Sequence, residues 1–156
     1  MALEKAKKHL ENYQLADRVM IFDVSSATVK AAAKAVGCEE AKIAKTLSFL
    51  VGDNPILIVT AGDVKIDNKK YKTEFHAKAK MIPFDSVEET IGHAAGGVCP
   101  FGIKEGVTVF LDESLKRFEI VYPACGTGNS AVKLTIEELE KASNYEKWID
   151  VCKGLE

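Results

Sequence analysis

The sequence predicts a single-domain α/β (α+β) protein: a mixed, mostly antiparallel sheet flanked by helices. Three observations predict it. Strand-like and helix-like stretches intermingle without the strict strand–helix–strand alternation of a Rossmann fold. Two apolar runs, residues 43–51 and 55–60, are separated only by Gly52-Asp53-Asn54, which is a hairpin signal. The 156 residues are 47% hydrophobic and 28% charged, so the chain is long enough to bury a core and has the composition of a folded domain. Neither a repeat nor a linker interrupts it, and residues 1–156 are expected to form one domain.

The elements follow in order. Leu3, Ala6, Leu10 and Tyr13 recur at helical spacing and predict an amphipathic helix over 2–15. Val19-Met20-Ile21-Phe22 reads as a short strand within 18–23. Ser25 or Ser26 is placed to cap an alanine-rich helix over 28–36, ended by Gly37. The hairpin strands come next, then a helical stretch dominated by basic residues after Asp67. Ser86 opens a short helix that stops near Gly92, with Glu88 and Glu89 suited to its positive end. Residues 107–111 and 118–122 read as strands on either side of Asp112-Glu113-Ser114. The loop Cys125-Gly126-Thr127-Gly128-Asn129 leads to a short strand over 130–134. Thr135 with Glu138 is a capping-box signature for a closing helix to about Ala142.

Composition excludes several classes. No apolar run approaches the roughly 20 residues that cross a bilayer, and residues 1–8 lack the apolar core of a secretory signal. No membrane partner and a cytoplasmic location are therefore expected. Cys38, Cys99, Cys125 and Cys152 are scattered, with no C-x-x-C pair and no histidine at zinc-finger spacing. Free thiols, no metal and no cofactor are the expectations. A net charge of -2 gives no global attraction for nucleic acid. Locally, Lys65, Lys69, Lys70, Lys72, Lys78 and Lys80 are opposed only by Asp67 and Glu74, which suits either a phosphate backbone or a solvated helix face.

Two segments carry chemistry. Lys45 lies in the apolar run Ile43-Ala44-Lys45-Thr46-Leu47, sharing a strand face with Ile43 and Leu47. It is either an edge lysine or a cleft lysine that binds a phosphate or the polar end of a substrate, or that serves as a base if burial lowers its pKa. The second segment is the turn Gly96-Gly97-Val98-Cys99-Pro100-Phe101-Gly102. Adjacent glycines let the backbone approach a ligand, and their N–H groups can face a developing oxyanion; the same residues also suit a plain connection. Val98 and Phe101 can wall a small pocket. Cys99 is a candidate thiol nucleophile served by His93 or His76, although most cysteines near a turn are small packing residues. Asp112 reads as a loop-holding acceptor at a strand end. Gly126, Asn129 and Ser130 offer amide and hydroxyl contacts from the second glycine loop, which equally suits a plain turn.

The order of these features resembles the YbaK/prolyl-tRNA-editing family of aminoacyl-tRNA deacylases. The lysine strand, then Thr90-Ile91-Gly92-His93 running into the Gly96–Gly102 turn, then Asp112 and residues 126–139 resemble that family over residues 28–142. The resemblance implies a barrel-like central sheet and metal-independent hydrolysis of mischarged tRNA. It implies tRNA as substrate, with tRNA(Pro) carrying alanine or cysteine favoured, and prolyl-tRNA synthetase as an associated partner. It assigns Lys45 to anchoring the phosphate or ribose of the terminal adenosine, and Gly96 and Gly97 to the ester carbonyl. Val98, Cys99, Pro100, Phe101, Gly102, Gly126, Asn129 and Ser130 would contact substrate. The family uses a ribose hydroxyl or a bound water as nucleophile, so a protein nucleophile is not required. This chain departs from the pattern in two places: Cys99 replaces the usual serine, and Ala131 stands where cysteine-removing members resemble one another in an aspartate. The alternatives are a non-catalytic tRNA- or protein-binding module of the same fold, and a thiol hydrolase using Cys99.

Overall fold

The computed structural model describes residues 2–154. Helix α1 (Ala2–Glu11) turns Ala6 and Leu10 inward. It stops short of residue 15 because Gln14 adopts a left-handed conformation and Leu15 N–H folds back to the Leu10 carbonyl at 3.0 Å, which closes the last turn. Strand β1 (Val19–Ile21) follows. Helix α2 (Val29–Val36) is capped by Thr28, whose hydroxyl accepts the Ala31 N–H at 3.1 Å, and ends at Gly37 with φ 86°. The expected caps Ser25 and Ser26 instead hold the second glycine loop, since Ser26 N–H and Ser25 Oγ both donate to the Gly128 carbonyl.

The hairpin pairs β2 (Ile43–Val51) with β3 (Asn54–Ala61) from Ala44↔Ala61 to Val51↔Asn54. Its turn is the two residues Gly52 and Asp53, with Gly52 at φ 62°, a backbone conformation that favours glycine. Then come β4 (Val64–Ile66), α3 (Asn68–Phe75), α4 (Val87–Ile91), β5 (Thr108–Asp112), β6 (Ile120–Pro123), β7 (Ser130–Val132) and β8 (Leu134–Thr135). Asp67 caps α3 by accepting from Lys69 N–H and Lys70 N–H. The chain closes with α5 (Ile136–Ser143), β9 (Lys147–Ile149) and β10 (Cys152–Gly154). Both hydrogen bonds of the Thr135–Glu138 capping box are formed on α5.

Six strands form one curled sheet, a half-barrel in the order β8-β6-β2-β3-β5-β9. Among the described residues, four of the seven strand pairings are antiparallel, and β2–β6, β3–β5 and β5–β9 are parallel. Pairs β1–β7 and β4–β10 lie outside this sheet. Leu57, Ile58 and Val59 are all fully buried, so β3 is covered on both faces. Packed around it are Leu10 of α1, Tyr71 of α3 and Leu139 of α5.

Asp112 ends β5 as the expected loop-holding acceptor. It is buried, and its two carboxylate oxygens accept Ser114 N–H at 2.9 Å and Val151 N–H at 3.0 Å. The second bond ties the chain between β9 and β10 to the sheet. Asp112→Ala orphans one buried and one partly buried backbone donor and is expected to cost about 2–3 kcal/mol of stability. The urea midpoint measures it, and an unchanged midpoint would remove this role.

Candidate active site

Strand β3 borders one edge of β2 along its length, but the neighbours on the other edge change. Strand β6 pairs only with Ile43 and Ala44. Further along, Leu50 N–H donates to the Lys80 carbonyl at 2.8 Å and Ile82 N–H to the Ser48 carbonyl at 3.1 Å. Backbone groups alternate sides along a strand. Since Ser48 and Leu50 direct theirs away from β3, the N–H and C=O of Thr46 point the same way, into the interval between these two neighbours. A cleft of about 580 Å³ opens there. One wall is Ser26, Ala27, Thr28 and Val29 at the start of α2; another is Met81, Ile82, Pro83 and Phe84. Ala95, Gly96 and Val98 form a third, and Tyr122, Ala124, Ser130 and Ala131 a fourth.

Lys45 is the one charged residue lining this cleft among the described residues. Its ammonium is half-buried and donates to the Val64 carbonyl. Burial pushes its pKa down from 10.5, with nearby Cys152 and Asp63 pushing the other way. Asp63 is itself held by a bidentate pair with Arg117, at 3.0 and 2.6 Å, which keeps its carboxyl below the usual range. The first turn of α2 adds partial positive charge at the same opening. Thr46 Oγ1 is buried without a hydrogen-bond partner on the cleft wall. The cleft thus has Lys45 as its one charged lining residue and an open strand edge at Thr46, within walls that are otherwise uncharged and carry hydroxyls at Ser26, Thr28, Ser48, Tyr122 and Ser130.

The two glycine loops are strapped together. Gly126 N–H donates to the Gly97 carbonyl at 3.0 Å, and a Cβ on Gly97 would lie 2.6 Å from the backbone of Thr127. Gly97 does not line the cleft, and its own N–H is spent on the Ala94 carbonyl at 3.0 Å. Gly96, at φ 96° and exposed, is the residue of the pair on the cleft surface. Gly102 and Gly126 also stand behind the wall, where a Cβ would come within 2.6 Å of the Lys5 and Ala2 carbonyls of α1. Their absent side chains let α1 pack against both loops.

Of the remaining expected contacts, Val98 and Ser130 line the cleft, while Cys99, Pro100, Phe101 and Asn129 do not. Cys99 and Phe101 are fully buried. The Cys99 thiol sits 3.5 Å from His93 Nε2 and 3.7 Å from the Phe101 carbonyl, and burial drives its pKa strongly upward. His93 is buried too, with Nε2 2.6 Å from the Phe101 carbonyl and its pKa pushed down by desolvation. A buried neutral thiol beside a weakened base is a packing arrangement rather than an activated nucleophile. Asn129 clamps the loop to the end of β1: its side-chain amide donates to the Phe22 carbonyl at 3.2 Å and its own carbonyl accepts Phe22 N–H at 2.8 Å. The Ser130 hydroxyl accepts Cys125 N–H at 3.2 Å, so it braces the loop from within.

Sequence reasoning missed Thr46 and Phe84. Adjacent strand residues direct their side chains to opposite faces, and weighing Lys45 by its face hid the neighbour that opens its backbone to the cleft. Within the lysine cluster, Lys65, Lys69, Lys70, Lys72, Lys78 and Lys80 are exposed and none lines the cleft; Lys70 pairs with Asp150 at 3.1 Å. No described helix is long and apolar enough to cross a membrane. Among the described residues, no three His, Cys, Asp or Glu side chains gather where they could hold a metal ion.

Residues 23–142 match the model of the aminoacyl-tRNA editing domain family. The "Uncharacterized protein YwhH" of Bacillus subtilis (strain 168) is 49% identical over 157 residues, covering 100% of both chains. A "Proline--tRNA ligase" of Halalkalibacterium halodurans is 29% identical over 131 residues, which are 83% of this chain but 22% of that enzyme. A crystal structure described as that of a candidate trans-editing enzyme for prolyl tRNA synthetase superposes with a TM-score of 0.88 at 27% identity, covering 98% of both chains.

The Lys45 amine yields a pH-dependent prediction. Its folded-state pKa lies below the 10.5 of an ordinary lysine, so the unfolded chain binds this proton more tightly than the folded one. The penalty is fully present below the lowered folded value and disappears as pH rises toward the unfolded one. Lys45→Met is therefore expected to melt above the wild-type protein near neutral pH, with the gap narrowing as pH rises toward the 10.5 of an ordinary lysine. Thermal melts across that range measure it, and a pH-independent gap would contradict the desolvated ammonium.

Proposed function

Because the chain belongs to the aminoacyl-tRNA editing domain family, we propose that it is a trans-editing hydrolase that deacylates mischarged aminoacyl-tRNA, with tRNA(Pro) carrying alanine or cysteine as substrate. One observation carries the reading: the half-buried Lys45 is the one charged residue lining an otherwise uncharged cleft among the described residues. Lys45 is the one charged residue of the lining, and the nearby Asp63 carboxylate is already paired with Arg117, which favours an anionic ligand; the acceptor end of tRNA supplies phosphates next to the ester. The volume of about 580 Å³ exceeds what a small amino acid fills and lies within the range of pockets that hold larger ligands. Ala44, Ala95, Ala124 and Ala131 give small apolar walls. With alanine rather than a carboxylate at 131, they favour an alanyl over a cysteinyl side chain. Similarity to part of a proline–tRNA ligase supports prolyl-tRNA synthetase as the enzyme whose errors are corrected.

The chemistry uses no protein nucleophile. Water, or the adjacent ribose hydroxyl in a preceding transfer, adds to the ester carbonyl carbon. In hydrolysis by water, the acyl–oxygen bond breaks, the ribose oxygen leaves with a proton, and free amino acid and tRNA result. Thr46 N–H, Thr46 Oγ1 and the amide surface at Gly96 are the donors on hand for the oxyanion, and a preorganised donor of this kind contributes about 3 kcal/mol to the barrier. Lys45 holds the nucleotide so that the ester lies against them. It acts through placement and charge, with its proton retained.

Incubation with alanyl-, cysteinyl- and seryl-tRNA(Pro) tests the reading; the alanyl ester is expected to be lost fastest, and no loss above buffer for any of the three would refute it. Lys45→Ala is expected to lower the rate at least about 100-fold, whereas full activity would remove its role. Cys99→Ser is expected to keep activity within a few-fold, and iodoacetamide is expected to leave the native enzyme active. Inactivation by the reagent together with a dead Cys99→Ser protein would establish the thiol mechanism instead.

A further inference from the structure

Four large apolar side chains are exposed among the described residues: Ile21, Val24, Met81 and Phe84. Two of them border the cleft, and the other two neighbour residues that line it. Met81 and Phe84 line the cleft directly. Ile21 is in register with the lining residue Ser130, and Val24 lies two residues before the lining residue Ser26. Single exposed apolar residues are ordinary on a protein surface, but a concentration at one rim marks a contact surface. Phe84 stands out, with 76% of its surface exposed.

The ring has no part in the core, yet the backbone beneath it is fixed. Ile82 N–H is bonded to the Ser48 carbonyl at 3.1 Å, and Ser86 N–H to the Pro83 carbonyl at 2.8 Å. Ile82 and Val87 on either side are buried, and the pyrrolidine of Pro83 sets its own φ at -55°. Phe84 is thus a flat apolar face on a rigid post at the mouth of a cleft in which Lys45 is the one charged lining residue. We propose that Phe84, with Met81 beside it, is the stacking platform for an unpaired nucleobase of the tRNA acceptor end. The proposal rests on the reading of the cleft as an aminoacyl-tRNA site.

The acceptor end brings a π-face, phosphates and an ester on one short strand. Lys45 meets the anionic part inside the cleft, and the ring meets the base at the rim. A rigidly presented ring loses little freedom when the base stacks on it. Exposed Lys78 and Lys80, on the segment that enters Met81, offer cations to phosphates farther out. Stacking tolerates any base, so this subsite grips the common end of tRNA and leaves the choice of tRNA to other contacts.

Two measurements test it. The first is fluorescence: the chain has a single tryptophan, Trp148, so emission added by Phe84→Trp is read as the difference from wild type while the trinucleotide CCA is titrated. Quenching of the added emission is expected. The second is kinetic: Phe84→Ala is expected to raise KM for alanyl-tRNA(Pro) about ten-fold, more than it lowers kcat, with Phe84→Tyr restoring it. No quenching and an unchanged KM would overturn the proposal and leave the rim as a docking face for a partner protein. Quenching by CCA in a protein that hydrolyses no aminoacyl-tRNA would uphold the base platform while refuting the deacylase reading. Hydrolysis by wild type that is matched by Phe84→Ala, without quenching, would do the reverse.

Discussion

Between the end of β6 and residues 80–82, the outer edge of β2 has no strand beside it, and Thr46 presents its backbone N–H and C=O to that interval. A central strand is an expensive place to leave hydrogen-bonding groups unpaired, because each buried, unsatisfied group costs about 1–3 kcal/mol. The Thr46 hydroxyl repeats the pattern, since it too is buried and without a partner. Such groups are tolerable where a ligand completes them, and they are then already oriented when it arrives. The glycine loops, the start of α2 and the Phe84 turn are arranged around that gap. Each closes one side of it without donating a strand.

Charge and backbone divide the work. Lys45 reaches the Val64 carbonyl, on the chain that runs into β4, and β4 is held in turn by β10. The Arg117–Asp63 pair fixes the turn just before Val64 and supplies a nearby carboxylate. An isolated lysine between apolar walls would lean toward its neutral form; this carboxylate offsets part of the desolvation and favours the charged form that an anionic substrate requires. The two glycines at 96 and 97 are likewise not equivalent. Gly96 faces the cleft, whereas Gly97 exists so that the first loop can lie against Thr127 of the second. Substituting Gly97 would move the wall itself, so a loss of activity there would report geometry rather than a lost donor.

Much of the architecture was legible in the sequence because its signals are local. Gly52-Asp53 fixes the hairpin, Gly37 ends α2, and the Thr135–Glu138 pair opens α5, each through bonds made within a few residues. Strands β4, β9 and β10 were not read from the sequence: each is three residues long without the apolar run that marks β1, and forms against a distant partner, β10 against β4 and β9 against β5. Thr28 displaced the serines as the cap of α2 because Ser25 and Ser26 are claimed by Gly128, about 100 residues away in sequence. At the site, Lys45, Gly96, Val98 and Ser130 could be picked by residue type and order. Cys99 and Phe101 could not be sorted from them, because Val98 and Cys99 are neighbours in sequence yet one lines the cleft and the other is fully buried.

The composition of the walls bears on how such a site would discriminate. A pocket that must accept a small group and spare a larger one works by steric exclusion, whereas a pocket built for the larger group rejects the smaller by only about 10- to 200-fold. Exclusion needs walls that do not yield. Here Ala44, Ala95, Ala124 and Ala131 present Cβ methyls, which have no rotamer to move aside, and Ala44 and Ala131 are themselves buried and backed by packed chain. Moving such a wall means moving backbone. On the proposed reading, the ammonium and the open strand edge bind what every aminoacyl-tRNA shares, while the alanine walls decide which acyl group reaches the donors. Grip and selection then rest on different residues, so the small-side-chain filter can be altered at Ala124 or Ala131 without touching Lys45.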